Sequence, residues 1–350
     1  MQPVRLAELI ARRQFRMREG TIGDPPAGCV QARVSAVGIC GSDLHNFSEG
    51  SVGDMASVYP MVLGHEPAGI IAKIGVGVTG WSAGDPVLIE PAIYCYHCEF
   101  CMSGHHNVCA NLRFLSQPGE PGFLRDSVNI PATNLLGLPA GVSPTQGTLF
   151  EPLAVVLHSM KFVGLRPGET AAVFGGGPIG LLTIAVLKIA GASRIWCVEP
   201  MAHRRELALA CGASVVLDPS SADPAREITS DTGNRGVDVA IDCAARGNTM
   251  NQCLRVTRNA GRVVITGIPS EVLIPLEFHV MRRKELAFYN VRRSNHESER
   301  ALDLMRERLS LFAPVLTHVF SLERAQQAFE TLEGYWDGVG KIVIVPATRA

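Results

Sequence analysis

Four cysteines, Cys95, Cys98, Cys101 and Cys109, stand in CYHCEFCMSGHHNVC with two residues between each of the first three and seven before the last. Thiolates at that spacing close tetrahedrally around zinc and leave it no open position, so the loop reads as a structural metal site. His97, His105 and His106 are surplus to a complete tetrad and are expected to face solvent. A second group is more dispersed: Cys40, Asp43 and His45 crowd into ICGSDLH, and His65 with Glu66 interrupts the apolar run MVLGHEPAGII. A lone histidine in such a run is more often a core residue bonded to a carbonyl. A histidine and a glutamate together, with a cysteine upstream, point instead to a metal. Glu151 begins a helical stretch just before Pro152. An acid there ordinarily complements the helix dipole, and it is equally compatible with a carboxylate aimed out of the helix end at a cation.

The third chemistry-bearing stretch is AAVFGGGPIGLLTIAVLKIAGASRIWCVE, residues 171 to 199, which reads as strand, turn, helix and strand. Gly175, Gly177 and Gly180, with Gly176 and Pro178 between them, let backbone approach a pyrophosphate closely, and the following helix directs its unpaired amides at the negative charge. Glu199 lies nineteen residues after Gly180, where an acid accepts hydrogen bonds from an adenosine ribose. A carboxylate there repels a 2′-phosphate and favours NAD over NADP, with Arg204 and Arg205 nearby as the opposing signal. A membrane span is excluded, because glycines, a proline and Lys188 interrupt the apolar run.

Those residues need elements to position them. QFRMRE and CVQARVSAV alternate apolar and polar side chains on either side of GDPPAG and are expected to pair as strands. After the glycine turn, strands and helices alternate through SVVLD, GVDVAIDCA, GRVVITGI and ELAFYNV, the pattern of a parallel doubly wound sheet with ligands at the strand carboxyl ends. Amphipathic helices over 298–308 and 322–332 and a closing strand GKIVIVP follow. A chain of 350 residues accommodates two domains, and a net charge of −1 gives no reason to expect nucleic acid or an anionic membrane as partner. Small molecules are the expected partners. Arginines cluster near the start, but Glu8 and Glu19 interrupt them and no apolar targeting segment follows, so the compartment expected is the cytoplasm.

CGSDLH, GHEPAG with Gly75 beyond it, the four-cysteine loop, FEPLAV and GGGPIG occur together in one order, and the chain resembles the zinc-dependent medium-chain alcohol dehydrogenases over nearly its whole length. Gly41 after Cys40, EPLAV around Glu151, GPIG, the Glu199 to Arg204 spacing and VRRSN at 291–295 resemble the sorbitol (polyol) dehydrogenase branch. The resemblance implies an α/β chain with a GroES-like, mainly β catalytic domain over 1–152 and 292–350, and a Rossmann NAD-binding domain over 153–291. It implies two zinc ions per chain, NAD as cofactor, an alcohol or polyol as substrate, and a homo-oligomer, tetramer or dimer. The catalytic zinc would be held by Cys40, His65 and Glu151, with Glu66 as an alternating or water-linked ligand, and the structural zinc by the four-cysteine loop. Asp43 would orient His65, Ser42 would hand on the alcohol proton, and His45 would pass it to solvent by way of the cofactor ribose. Gly175, Gly177, Pro178, Ile179, Gly180, Glu199, Arg204, Thr266, Gly267, Ile268, Asn290, Val291 and Arg292 would line the NAD site, with Arg292 reaching toward substrate. Asn46 and Arg293 depart from the pattern by standing where sorbitol dehydrogenases carry tyrosines, which makes sorbitol itself a poor expectation. L-threonine, a vicinal diol such as butanediol, or an aldonate is the alternative substrate, and a dinucleotide-binding regulator the alternative of another class.

Overall fold

The computed structural model describes residues 1–346, so the last four residues of the expected 292–350 segment lie outside the described residues. Two compact units divide the chain. One comprises Met1–Glu151, Ser298–Leu309 and the chain from Leu316; the other comprises Pro152–Glu297 and Ser310–Val315.

The first unit is built on sheets. Strand Cys29–Gly38 is buried along most of its length and lies at the centre of a seven-stranded sheet, between Glu66–Ile74 on one side and Ser127–Pro131 and Lys341–Val345 on the other. Its neighbour in sequence, Gln14–Ile22, does not pair with it, contrary to the expectation from QFRMRE and CVQARVSAV. That strand instead pairs antiparallel with Gln2–Ala11, across a tight turn at Arg13 (φ +56°). The physical reason is burial: a strand enclosed on both faces needs apolar neighbours, whereas Gln14–Ile22 keeps a largely exposed face that a local hairpin satisfies. Of the early arginines, Arg16 and Arg18 reach the buried Glu8 across the hairpin, Arg5 holds Asp126 at 2.8 Å, and Arg12 and Arg13 bond the Ser48 carbonyl and Glu333. Leu9, Val30, Val37, Phe47, Leu63, Phe123 and Phe329 form the core beneath these sheets.

The second unit contains a six-stranded parallel sheet. Its order is Val215–Leu217, Arg194–Val198, Thr170–Phe174, Val237–Asp242, Thr257–Ile265 and Ala287–Asn290. Continuous apolar runs such as TAAVF suit strands covered on both faces. The direction of winding reverses between Thr170–Phe174 and Val237–Asp242, which is where such sheets open a crevice at their carboxyl ends. Among the described residues no helix is long and apolar enough to cross a membrane.

Candidate active site

Cys40 occupies the N-cap of helix Gly41–Ser48, in extended conformation, and that helix carries Ser42, Asp43, His45 and Asn46. A short helix was not legible here because GSDLHNFS has too few turns to show an apolar period. Asp43, three residues past the cap, turns back to accept a hydrogen bond from the Cys40 amide at 3.1 Å, which fixes the first turn. It is almost wholly buried and also accepts from the Gly64 amide (3.2 Å) and the Ser116 hydroxyl (2.8 Å).

His65 follows Gly64, whose φ of +89° lets the chain turn between Met61–Val62 and Glu66–Ile74. Its Nδ1 lies 3.3 Å from Asp43 Oδ1, which leaves Nε2 as the ring nitrogen available to a cation. Burial pushes the Asp43 carboxyl pKa up, but the adjacent His65 charge and hydrogen bonds from the Ser116 hydroxyl and the Cys40 amide help to outweigh it and hold the pKa low. Burial likewise opposes a charged His65, yet Asp43 and Cys40 raise its pKa well above the usual value. Cys40 and Asp43 thus face the same imidazole from two sides.

Glu66 is fully buried, paired with Lys341, whose Nζ donates to Glu66 Oε1 (2.6 Å) and to the Ile39 carbonyl (3.0 Å). Room for this pair comes from Gly38, opposite Glu66 in the sheet, where a β-carbon would overlap the carboxylate. Burial works against the charge on Lys341, and Glu66, Cys40 and Glu151 together more than restore it. Sequence reasoning missed both Lys341 and Ser116. A lysine inside the apolar run GKIVIVP was the available signal for the first; no sequence signal marks the second.

The donor atoms of Cys40, His65 and Glu66 all lie within 4.8 Å of one another. Thiolate, imidazole and carboxylate together make a donor set suited to zinc, so these residues fit the ion. Glu151 is buried in the first turn of helix Phe150–Val163 and acts electrostatically on Lys341, but it is not among those three. His45 is buried with Nδ1 2.9 Å from Glu49, and Asn46 is engaged on both sides of its amide, by the Ser42 carbonyl and the Ser57 hydroxyl. Ser42 is partly buried one turn before it.

The four-cysteine loop brings its sulfurs together as well, also within 4.8 Å, with 3.5 Å between Cys95 and Cys109, 3.9 Å between Cys98 and Cys109 and 4.0 Å between Cys95 and Cys101. A tetrahedron with zinc–sulfur bonds of about 2.3 Å has edges of about 3.8 Å, so these four sulfurs lie at separations that suit zinc. The His97 amide, opposed by partial burial, brings the Cys95 thiol down to about 5, while burial and its neighbours push Cys101 up to about 12. His97 and His105 are exposed, and His106 packs between Tyr94 and Tyr96 at 5.6 and 5.5 Å.

In the parallel-sheet unit, Gly175 takes a φ of +98°, Gly177 caps helix Pro178–Ile189, and a β-carbon at Gly180 would overlap the Gly175 carbonyl oxygen. Glu199 is buried at the end of the next strand, accepting from the Gly176 amide (2.6 Å) and the Met201 amide (2.9 Å). Arg204 is buried near Gly177, while Arg205 is spent on the carbonyls of Glu199 and Pro200 and on Asp218. Ile179 is partly buried on the turn's helix. The Thr266 and Gly267 amides both donate to the Asp242 carbonyl, and Ile268 beyond them is exposed. Asn290 ends the edge strand, the Val291 amide donates to Ile265, and Arg292 is exposed.

Residues 26–140 match the model of the alcohol dehydrogenase GroES-like domain, and residues 178–307 that of the zinc-binding dehydrogenase. The chain is 32% identical to a sorbitol dehydrogenase of Bacillus subtilis over 91% of its own length and 90% of the relative's. It is 34% identical to an L-idonate 5-dehydrogenase of Vitis vinifera, covering 86% of this chain and 84% of that one. Its fold superposes with a TM-score of 0.89 on a putative zinc-binding dehydrogenase from Sinorhizobium meliloti bound to NADP, at 28% identity, over 99% of this chain and all of that one.

Proposed function

This chain belongs to the zinc-dependent medium-chain alcohol dehydrogenases, in their polyol dehydrogenase branch, and from that premise we propose how its residues divide the work of oxidising a secondary alcohol. Residues 1–152 and 292–350 form the catalytic domain in this reading and 153–291 the NAD-binding domain. When bound, zinc supplies the Lewis acidity that makes an alcohol far more acidic, and NAD supplies the hydride acceptor. Cys40, His65 and Glu151 would hold the catalytic ion. Glu66, its charge already balanced by Lys341, serves as the alternating ligand. Asp43 keeps His65 turned with Nε2 outward. Ser42 accepts the alcohol proton and His45, anchored through Nδ1 to Glu49, delivers it outward from Nε2. If His45→Ala left the pH–rate profile unchanged, this relay would be wrong.

The observation that carries the reading is the convergence of the Cys40, His65 and Glu66 donors with Asp43 set behind the imidazole. Metal analysis of the purified protein is expected to find two zinc ions per chain, and NADH absorbance is expected to rise with members of a panel of polyols, sugar acids, threonine and butanediols. One zinc only, with no turnover on any alcohol, would replace this reading with that of a dinucleotide-binding regulator.

NAD rather than NADP is supported by Glu199 against the glycine turn and by the commitment of Arg205 to Asp218. The structural neighbour bound to NADP makes a comparison of both cofactors part of the screen. Among substrates, a sugar acid has one specific observation in its favour: two consecutive guanidinium groups at Arg292 and Arg293, beside the likeness to an L-idonate dehydrogenase.

The chain is read as a cytoplasmic homo-oligomer, dimer or tetramer. Its cysteines form no disulfide, as suits a reducing compartment. Strand Ala287–Asn290 is a sheet edge, and Val272, Leu273 and Phe278 lie exposed in the segment before it. Exposed apolar side chains and an open sheet edge each favour self-association. Leu273→Asp is expected to lower the mass measured by light scattering.

A further inference from the structure

Ser116 is buried, yet its backbone holds a φ of +84°, a conformation in which a β-carbon is strained and glycine is not. The sequence nevertheless keeps a serine there. Its hydroxyl donates to Asp43 Oδ1 at 2.8 Å, the same oxygen that faces His65 Nδ1 at 3.3 Å and accepts from the Gly64 amide. The segment around it is stitched to the chain that carries His65. The Ser116 amide donates to the Glu120 carbonyl, and the Gly122, Phe123 and Leu124 amides donate to Val62, Gly64 and Leu63. A β-carbon at Gly122 would overlap the Gly64 and Leu63 carbonyls, so the two segments lie as close as backbone allows.

We propose that Ser116 is a positioning residue of the catalytic zinc site: its hydroxyl locks the Asp43 carboxylate, which in turn fixes the orientation and tautomer of His65. The inference rests on the zinc-site reading above. Asp43 in a buried pocket has four neighbours to satisfy, and two of them, the Cys40 and Gly64 amides, are immobile backbone. Only Ser116 brings an adjustable donor from outside the Cys40 and His65 segments. Without it the Oδ1 lone pair loses a partner in a place that water does not readily reach, and the carboxylate can rotate away from the imidazole.

Two variants separate this role from a purely structural one. Ser116→Ala removes the hydroxyl and keeps the backbone strain, whereas Ser116→Gly removes both. The melting temperature is therefore expected to be higher for Ser116→Gly than for Ser116→Ala. Both variants should lose catalytic zinc affinity alike, on the order of 10-fold by competition with a colorimetric chelator. The four-thiolate zinc should be retained at the parent's affinity, and kcat should fall more than KM rises. Parent-like affinity for the second zinc in Ser116→Gly would overturn the inference and leave the zinc-site reading intact. A parent that binds only one zinc would overturn both.

Discussion

At the level of single residues the site depends on charges that are buried and paired. Glu66 and Lys341 are each at most 1% exposed, so neither carries a cheap solvated alternative. Removing one partner of such a pair strands the other, at a cost of about 3–5 kcal/mol. Lys341→Met is therefore expected to lower the melting temperature sharply, and Lys341→Met with Glu66→Gln should recover part of the loss; equal melting of the two would show that the stranded carboxylate is not the cause. Asp43→Asn exchanges one carboxylate oxygen for an amide nitrogen at nearly the same size. It should weaken catalytic zinc by roughly 10- to 100-fold, measured by chelator competition, because the amide cannot hold His65 as the carboxylate does. Most of these residues were legible as types: a cysteine, a histidine and glutamates in apolar surroundings demand a reason. What their types did not reveal was the partner. Lys341 is 275 positions from Glu66 and Ser116 is 73 from Asp43, and no local pattern spans such distances.

Among elements, the glycine turn shows how little latitude the backbone has. At Gly180 the first turn of helix Pro178–Ile189 touches the Gly175 carbonyl, so a methyl group there must push the helix off the turn. Gly180→Ala is expected to weaken NADH binding on the order of 10-fold or more, about 1.4 kcal/mol, by fluorescence titration, with the zinc content unchanged. Undiminished binding would mean that the turn does not hold the pyrophosphate. The strand–turn–helix–strand order here was readable because apolar run, glycines and helical period are all local signals. The pairing of Gln14–Ile22 with Gln2–Ala11 was not, since an alternating strand fits any partner that offers the right face. Helix Gly41–Ser48 escaped notice for the opposite reason: it is too short to display a period, and it is set by the Asp43 side chain returning to its cap.

For the whole molecule, acid stability follows from carboxylates held low. Burial alone would raise the Glu297 pKa, but bonds from His158, Lys161 and the Asn295 amide bring it down to about 2. A carboxylate depressed in the folded state contributes stability above its unfolded pKa, near 4.5, and loses it as pH falls toward the folded value. Asp238, bound by Arg235, Arg258 and Thr170, is shifted in the same direction. Melting temperature should thus fall steadily between about pH 4.5 and pH 2, and Glu297→Gln should make that fall shallower. A slope identical to the parent's would remove Glu297 from the account.

The amino-acid order alone determined the four-cysteine loop and the glycine turn, each written in spacings of a few residues, and the family, written in the order of these motifs along the chain. Tertiary structure decided which buried groups meet across the chain. Lys341 against Glu66, Ser116 against Asp43 and Glu297 against helix Phe150–Val163 are meetings of segments far apart in the chain, and only the burial of the sheets and helices between them sets those distances.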